Sequence, residues 1–511
     1  MSESVVNNKL IVKNTIFLYV RMVVVMLISL YTVRAFLSIL GEVDFGLYNV
    51  IGGVVGMFSF INGTLATSSQ KFFSQSLVSG DIKSVNKVFC LNLSVYFIFA
   101  IIVVIILETV GLWFVNTQMT IPSERMFAAN VVYQISIFTF VMQLMVVSYN
   151  ALIIAYERMR VFAFIGIFEA VMKLGFVFVL LKVSCDKLIT YAFLYLFLYI
   201  IIALIYITYC HNNFEESKYH YYWNKYDACK MLSFSGWHLL GTLSVILRGQ
   251  GVNILINMFF SPAVNAARTV SYQVEGAIIQ LSNSFFTAVK PQMYKSYSNG
   301  ELIALNNLVL RSSTICFFLV SVLSVPFLCN AKCILGLWLT DVPEYTIAFT
   351  QLVLIEGLID SVSGSAICPA LATGNIKRFY LVTGNLVILT LPIAYIYLKL
   401  GYLPTTTMWI SIIISLIALA ARAFLLVRLI QLPIKRYFAL ITKLIVSSII
   451  IGFITYYEVS LFDNMLMAFV VSTIVSTLLH CGIYYIFICN KAERIALSTY
   501  INSRFVKSTR R

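Results

Sequence analysis

Residues 262–297 read PAVNAARTVSYQVEGAIIQLSNSFFTAVKPQMYKSY, a helix-length stretch that mixes apolar with charged and amide side chains. Pro262 suits a helix start, where its fixed φ is pre-organised and its missing N–H has no partner to lose. About 27 residues then run in one helical pattern, enough to cross a hydrocarbon layer roughly 30 Å thick. Yet Arg268, Gln273, Glu275, Gln280 and Asn283 fall inside the run. Ionisable groups at membrane depth cost several kcal/mol unless they face a bundle interior or a wet cavity. The helix is therefore expected to line an internal space, as in a transporter for something polar or charged.

The rest of the chain agrees with a membrane setting. Of its 511 residues 60% are hydrophobic and only 11% charged, less than half the charged share of soluble domains. Its ten cysteines are scattered without a CxxC pair, and Cys329 and Cys333 are read as small apolar residues. No cleavable signal is expected, because the first apolar run begins only after Lys13 and is already of span length.

Apolar runs of span length fall near 14–40, 43–66, 88–113, 126–155, 161–181, 188–210, 233–258, 263–289, 312–330, 346–372, 379–398, 405–427, 437–457 and 464–489. These predict an all-α integral membrane protein with 14 transmembrane helices and both termini on one side. With the termini cytoplasmic, the inner segments hold 24 of the 36 Lys and Arg residues, the outer loops 5 and the spans 7. That asymmetry follows the positive-inside rule. The net charge of +15 is then a matter of topology and anionic lipid, and no nucleic-acid partner is implied.

Self-similarity divides the spans. SGDIKSVNKVF at 79–89 matches NGELIALNNLV at 299–309, pairing Gly80 with Gly300 and Asn86 with Asn306 at an offset of 220. Gly111-Leu112-Trp113 pairs with Gly336-Leu337-Trp338, and Ala151-Leu152 with Ala370-Leu371, in the same order at nearly the same spacing. Two six-helix repeats inserted in the same orientation follow, with the substrate path between them and two further helices at the end. The expected domains are an N-lobe at 1–210, a cytoplasmic linker at 211–232, a C-lobe at 233–428, and helices 13 and 14 with a basic cytoplasmic tail at 429–511.

At this point a family resemblance emerges. The opening KNTIFLYVR…SLYTVRAFLSILGEVDFGLYNVIGG (13–53), the block NAARTVSYQVEGAI…NSFFTAVKPQMYKSY (265–297), the GLWLTDVPE turn (336–344) and ALATGNIKRF (370–379) resemble the polysaccharide-transporter branch of the multidrug/oligosaccharidyl-lipid/polysaccharide exporter superfamily. That branch includes O-antigen and capsule repeat-unit flippases of the bacterial inner membrane. The resemblance implies two lobes around a central cavity. It also implies alternating-access movement of undecaprenyl-pyrophosphate-linked oligosaccharides, with lipids and other polysaccharide-assembly proteins as partners.

The seven basic residues within the expected spans are Arg21, Arg34, Lys173, Arg248, Arg268, Arg422 and Lys443. Arg34, Arg422 and Lys443 lie within about two turns of a helix end and are expected to snorkel. Arg21, Arg248 and Arg268 are the candidate substrate contacts, because a guanidinium matches phosphate oxygens bidentately and keeps its proton. The alternative is hydrogen bonding between helices. Lys173 follows Glu169 by four residues, so a substrate contact and an internally neutralised pair are both open. Glu275, seven residues after Arg268, either holds that arginine or binds a cation or proton. Glu356 and Asp360 would share one helix face and are the candidate ion-coupling pair, for H⁺ or Na⁺, unless basic neighbours pair with them. Gly52 and Gly56 are spaced for close helix contact, with a hinge for lobe movement as the alternative.

No catalytic, nucleotide-binding, cofactor or metal-ligand spacing is present around His211, His220, His238 or His480, so the chain is not read as an enzyme. The rival readings are a multidrug/cation antiporter of the same superfamily, a lipid II flippase, and a membrane glycosyltransferase or polymerase. The last would carry a sizeable extramembrane loop with catalytic acids, and no loop here exceeds about 20 residues.

Overall fold

A computed structural model describes residues 8–488 apart from 118, 120, 261, 340, 341 and 463. The basic tail and part of the 336–344 turn lie outside the described residues, as does the side chain of Arg34. Among the described residues there is no strand, and the chain runs as fourteen membrane-length helices. The first six are α1 (Asn8–Gly56), α2 (Ser59–Val78), α3 (Ile82–Ile106, running on through a π turn to Thr117), α4 (Met126–Ala155), α5 (Met159–Lys182) and α6 (Lys187–Asn213). The second six are α7 (Lys225–Phe259), α8 (Pro262–Ser298), α9 (Leu302–Trp338), α10 (Thr346–Thr373), α11 (Lys377–Lys399, in two segments) and α12 (Thr406–Ile430). Helices α13 (Ile434–Val459) and α14 (Met465–Ile483) follow.

Thirteen of these helices contain a stretch long and apolar enough to cross a membrane. The fourteenth, α8, has 37 residues but is too polar to qualify, which is the property that singles out its sequence. Helices are what hydrocarbon permits, because each backbone N–H and C=O is satisfied within its own segment. Local sequence fixes several ends. Asp81 caps α3 by accepting from Lys83 N, Asp186 caps α6 through Leu188 N and Ile189 N, and Asn464 caps α14 through Leu466 N and Met467 N. Pro326 inside α9 is followed by a non-helical residue, Asn330, whose amide donates to the Pro326 carbonyl at 2.9 Å and holds the kink.

Three boundaries depart from the hydropathy reading. The first helical break comes at Met57 and Phe58 and not at 41–42, so α1 runs unbroken through residues 42–46, which hydropathy reads as the edge of a loop. Helix α2 continues to Val78, which puts Lys71 inside it, because the polar run 67–71 faces protein and needs no water. The connection between halves is only 214–224, with one 3₁₀ turn, since both flanking helices extend further than their apolar cores. Among the described residues, a Cβ at Gly52, Gly53 or Gly56 would meet nothing within 4 Å, so no close helix contact is seen there.

The internal repeat is visible in the backbone. Helix α2 ends at Val78 and α8 at Ser298, α3 begins at Ile82 and α9 at Leu302, each pair at the 220 offset. Gly80 (φ +67°) and Gly300 (φ +75°) both take the left-handed turn that glycine tolerates at no steric cost. Asn86 donates to Glu216 O and Lys218 O (2.7 and 2.8 Å), and Asn306 donates to Ile430 O and Gln431 O (3.2 and 3.3 Å). The paired asparagines thus tie down the chain leaving the sixth helix of each half.

By contacts the chain forms two compact units. Unit 1 comprises residues 1–245, 284–305 and 368–384, and unit 2 comprises 246–283, 306–367 and 385–511. Unit 1 has α4 as its spine, with Val132, Tyr133, Leu144 and Leu152 fully buried. Lipid tails are as apolar as leucine, so packing here depends on close fit and interhelical hydrogen bonds. Tyr96 donates to Leu65 O and Tyr133 to Leu107 O, both at 2.7 Å, the latter at the π turn where Gly111 leaves room for the phenol. In unit 2, α9, α10 and α12 are well enclosed, and Ser271 joins α8 to Thr350 of α10 at 3.0 Å.

Candidate functional site

Each unit brings together a cluster of the charged residues that fall inside apolar spans. In unit 1 it is built from α1, α5 and α6. Lys173 bonds to Glu169 one turn earlier at 2.7 Å, and Tyr199 donates to the same carboxylate oxygen at 2.8 Å. The Lys173 ammonium also sits 5.0 and 5.7 Å from the ring centroids of Tyr195 and Tyr199. Of the two readings open for Lys173, the structure shows the paired one, with both side chains of the pair a little over a quarter exposed.

Arg21 on α1 is held differently. Its guanidinium lies over the Phe162 ring, 4.2 Å from the centroid, and against the backbone of α5 at Gly166. A Cβ at Gly166 would stand 2.9 Å from Arg21 Cζ, so only glycine makes this seat. Among the described residues Arg21 has no ion pair and no hydrogen bond, and its charge is met by a ring face and by the field of Glu169.

The cluster of unit 2 lies on α7, α8, α10 and α12. Arg248 Nη1 bonds to Glu356 Oε1 at 2.7 Å, with side-chain exposures of 14% and 3%. Ser415 of α12 donates to the same oxygen at 3.3 Å. Arg248, a candidate substrate contact, and Glu356, half of the candidate ion-coupling pair, are thus bonded to each other. The alternative weighed for those acids, a basic neighbour, holds for Glu356 because α7 brings a guanidinium to it across 108 residues of sequence.

Arg268 is 4% exposed, bonds to Asn253 Oδ1, and lies over the Tyr272 ring at 4.5 Å. Its Nε is buried without a partner. Glu275 does not hold it: the Glu275 side chain packs on Gly357 of α10, with Cγ 3.3 Å from where a Cβ would stand. Neither Glu275 nor Asp360 makes a hydrogen bond or ion pair among the described residues. Three carboxylates therefore stand near two guanidiniums, and only one pair is bonded.

The hydropathy reading missed Lys71. It is 2% exposed in unit 1, between the rings of Phe72 and Phe234 at 4.1 and 4.6 Å, with no carboxylate partner among the described residues. The only sequence signal is the position of this lysine one helical turn past an apolar run, which reads equally well as a loop. Cys329 and Cys333 remain free, and the Lys443 side chain is exposed. Among the described residues no group of three His, Cys, Asp or Glu is placed to hold a metal.

Comparison with known proteins locates this architecture. No family model matches the sequence, and no curated protein matches it. Solved structures do: an outward-facing multidrug resistance MATE family transporter of the MOP superfamily superposes with a TM-score of 0.71 over 84% of this chain and 96% of its own, at 14% identity. The fold is that of a MATE transporter. A MATE in the bent conformation gives 0.68 over 85% and 96% at 14% identity. A MOP superfamily transporter from Pyrococcus furiosus, for which a reversed polarity of the binding pocket suggests a different function, gives 0.67 over 84% and 96% at 15% identity. With this fold and its many apolar helices, the chain is a multi-pass membrane protein of transporter architecture.

Proposed function

We propose that the chain is a flippase that carries undecaprenyl-pyrophosphate-linked oligosaccharide repeat units across a bacterial inner membrane, for O-antigen or capsule assembly. The observation that supports this most is the neutral company of two guanidinium groups. Arg21 rests on Phe162 and Gly166, and Arg268 on Asn253 and Tyr272. Positive charge held at membrane depth without a bound carboxylate is what a pyrophosphate needs from a site. Tyr195 and Tyr199 add ring faces and hydroxyls suited to sugar. In unit 2 a cavity of about 470 Å³, walled mainly by apolar side chains such as Phe317, Leu328, Ile359, Leu416 and Ile445, offers room for hydrocarbon. Arg248 and Lys173, each paired with an acid, position those acids and contact substrate only if the pairs open.

Flipping of a labelled polyprenyl-pyrophosphate oligosaccharide in proteoliposomes tests the proposal. Arg21→Ala and Arg268→Ala should each lower the rate at least tenfold, and Arg21→Lys should retain part of it. Equal rates for wild type and both alanine variants would remove the support. A lipid II flippase would show the same arginine dependence and differ only in which headgroup competes.

A second reading, a multidrug/cation antiporter, is favoured by one observation of its own. Glu275 and Asp360 are carboxylates without bonded partners, close to Glu356. In the flippase reading the same two acids are the candidates for coupling to H⁺ or Na⁺, in place of the Glu356 and Asp360 pair. Transport that ignores both gradients, and is unchanged in Glu275→Gln with Asp360→Asn, would end the coupling idea. Cytoplasmic termini and contacts with other polysaccharide-assembly proteins belong to this proposal too.

A further inference from the structure

The turn from α4 to α5 places Glu157 at φ +60°, a left-handed backbone that side chains avoid and glycine accepts. The corresponding turn of the second half, from α10 to α11, uses Gly374 at φ +76°. The two turns follow the matched Ala151-Leu152 and Ala370-Leu371 steps. Non-glycine residues in this region persist where the surroundings require the side chain. What requires Glu157 is plain: its carboxylate is buried, takes Lys295 Nζ at 2.6 Å on one oxygen and Gln292 Nε2 at 2.8 Å on the other. Both donors are on α8, so the bonds join the first half of the chain to the second, within unit 1.

A second bond mirrors them. Lys295 sits 220 residues after Gln75, the offset that relates Gly80 to Gly300 and Asn86 to Asn306. Gln75 on α2 does what Lys295 does on α8: its amide reaches across to the other half and donates to Ala372 O at 2.9 Å, in the last turn of α10. Lys71, one turn earlier on α2, brings its ammonium to Gly374, 2.9 Å from where a Cβ would stand. The carbonyl end of α10 carries the negative pole of the helix, which suits an ammonium that has no carboxylate. Ser235 of α7 also donates to Ser68 of α2 at 2.9 Å, a further bond between the halves within unit 1.

We propose that these contacts form one two-armed latch that holds the two halves together on the face carrying the 79–81, 156–158, 299–301 and 374–376 turns. Glu157 with Lys295 and Gln292 is the ion-pair arm, and Gln75 with Lys71 on the carbonyl end of α10 is the backbone arm. Each arm is the repeat image of the other, so separating the halves on this face breaks both at once. Glu157, Lys295, Gln75 and Lys71 are positioning residues: none is offered as a substrate contact. The latch rests on reading the halves as the moving parts of a transporter, but not on what is carried.

Hydrogen exchange measured by mass spectrometry on the full chain in nanodiscs tests it without substrate. Glu157→Gln and Lys295→Gln should each raise exchange several-fold in peptides covering 70–78 and 370–378, which neither residue touches. The charge swap Glu157→Lys with Lys295→Glu should bring it back down. Gln75→Ala should reciprocally raise exchange at 152–162 and 288–298, because coupling between two sites runs both ways. A rise confined to the arm that carries the substitution, or a swap that restores nothing, would reduce the contacts to separate local bonds and overturn the latch. If the Glu157 variants fail to fold, the Gln75→Ala result decides alone. Loss of the cross-arm response would leave the flippase proposal standing, and failure of flipping would leave the latch standing.

Discussion

Replacing Glu356 with alanine strips Arg248 of its bonded counter-charge in the middle of unit 2. The bridge is 2.7 Å long and its two side chains are 14% and 3% exposed. Direct attraction at that distance is roughly 6 kcal/mol with an effective dielectric of about 20, before desolvation is set against it. Losing one partner of such a pair typically costs about 3–5 kcal/mol, because an uncompensated charge stays behind. Asp360 lies one turn further along α10, within the field of Arg248, and takes up part of the loss, so the lower end, about 3 kcal/mol, is expected. The chain carries its own reporters: Cys90, Cys210, Cys316 and Cys368 are free and buried, so a thiol-reactive dye registers unfolding as they emerge. At a fixed heating rate Glu356→Ala should melt several degrees below wild type. Arg248→Met combined with Glu356→Leu should recover to within about 1 kcal/mol, since removing both charges together leaves none stranded. A single variant as stable as wild type, or a double variant no better than the single, would refute the view that this pair serves mainly to neutralise itself.

Other expectations follow from particular contacts. Gly166→Ala should displace the Arg21 guanidinium from α5 and lower flipping nearly as far as Arg21→Ala, with little change in melting, whereas Gly175→Ala on the same helix, where a Cβ meets nothing within 4 Å, should be silent in both assays. Asn86→Ala and Asn306→Ala each strip the amide donor from two backbone carbonyls, and the dye assay should show losses of about 1–3 kcal/mol for each, similar in size because the roles are equivalent. Gly80→Ala and Gly300→Ala should each cost about 1 kcal/mol from the positive φ alone, since a Cβ at either position meets no neighbour.

Much of this architecture is legible in the chain because hydrocarbon leaves few choices. Span-length apolar runs must be helices, and a helix as polar as α8 must face inward. The repeat is legible at Gly80 and Gly300, where a backbone demand fixes the residue, and at Asn86 and Asn306, where a capping task does. The Glu169–Lys173 bond is one of two readings that an i,i+4 spacing allows. What stays hidden depends on distant partners. Nothing in the sequence says that Arg248 meets Glu356 on a helix 108 residues away, or that Asn253 and not Glu275 receives Arg268. Lys71 reads as loop because a polar run that faces protein and one that faces water have the same composition. Glu157 carries no signal at all: its left-handed φ and its bond to Lys295 exist only once the halves have closed on each other.

What the chain carries is decided in the native cell. After deletion of the gene, lipids of the inner membrane are extracted and their headgroups identified. Accumulation of an undecaprenyl-pyrophosphate-linked glycan on the inner leaflet, with loss of surface polysaccharide and rescue by wild type but not by Arg21→Ala, is the predicted result. An unchanged lipid pool, accompanied by altered sensitivity to cationic drugs, would contradict it.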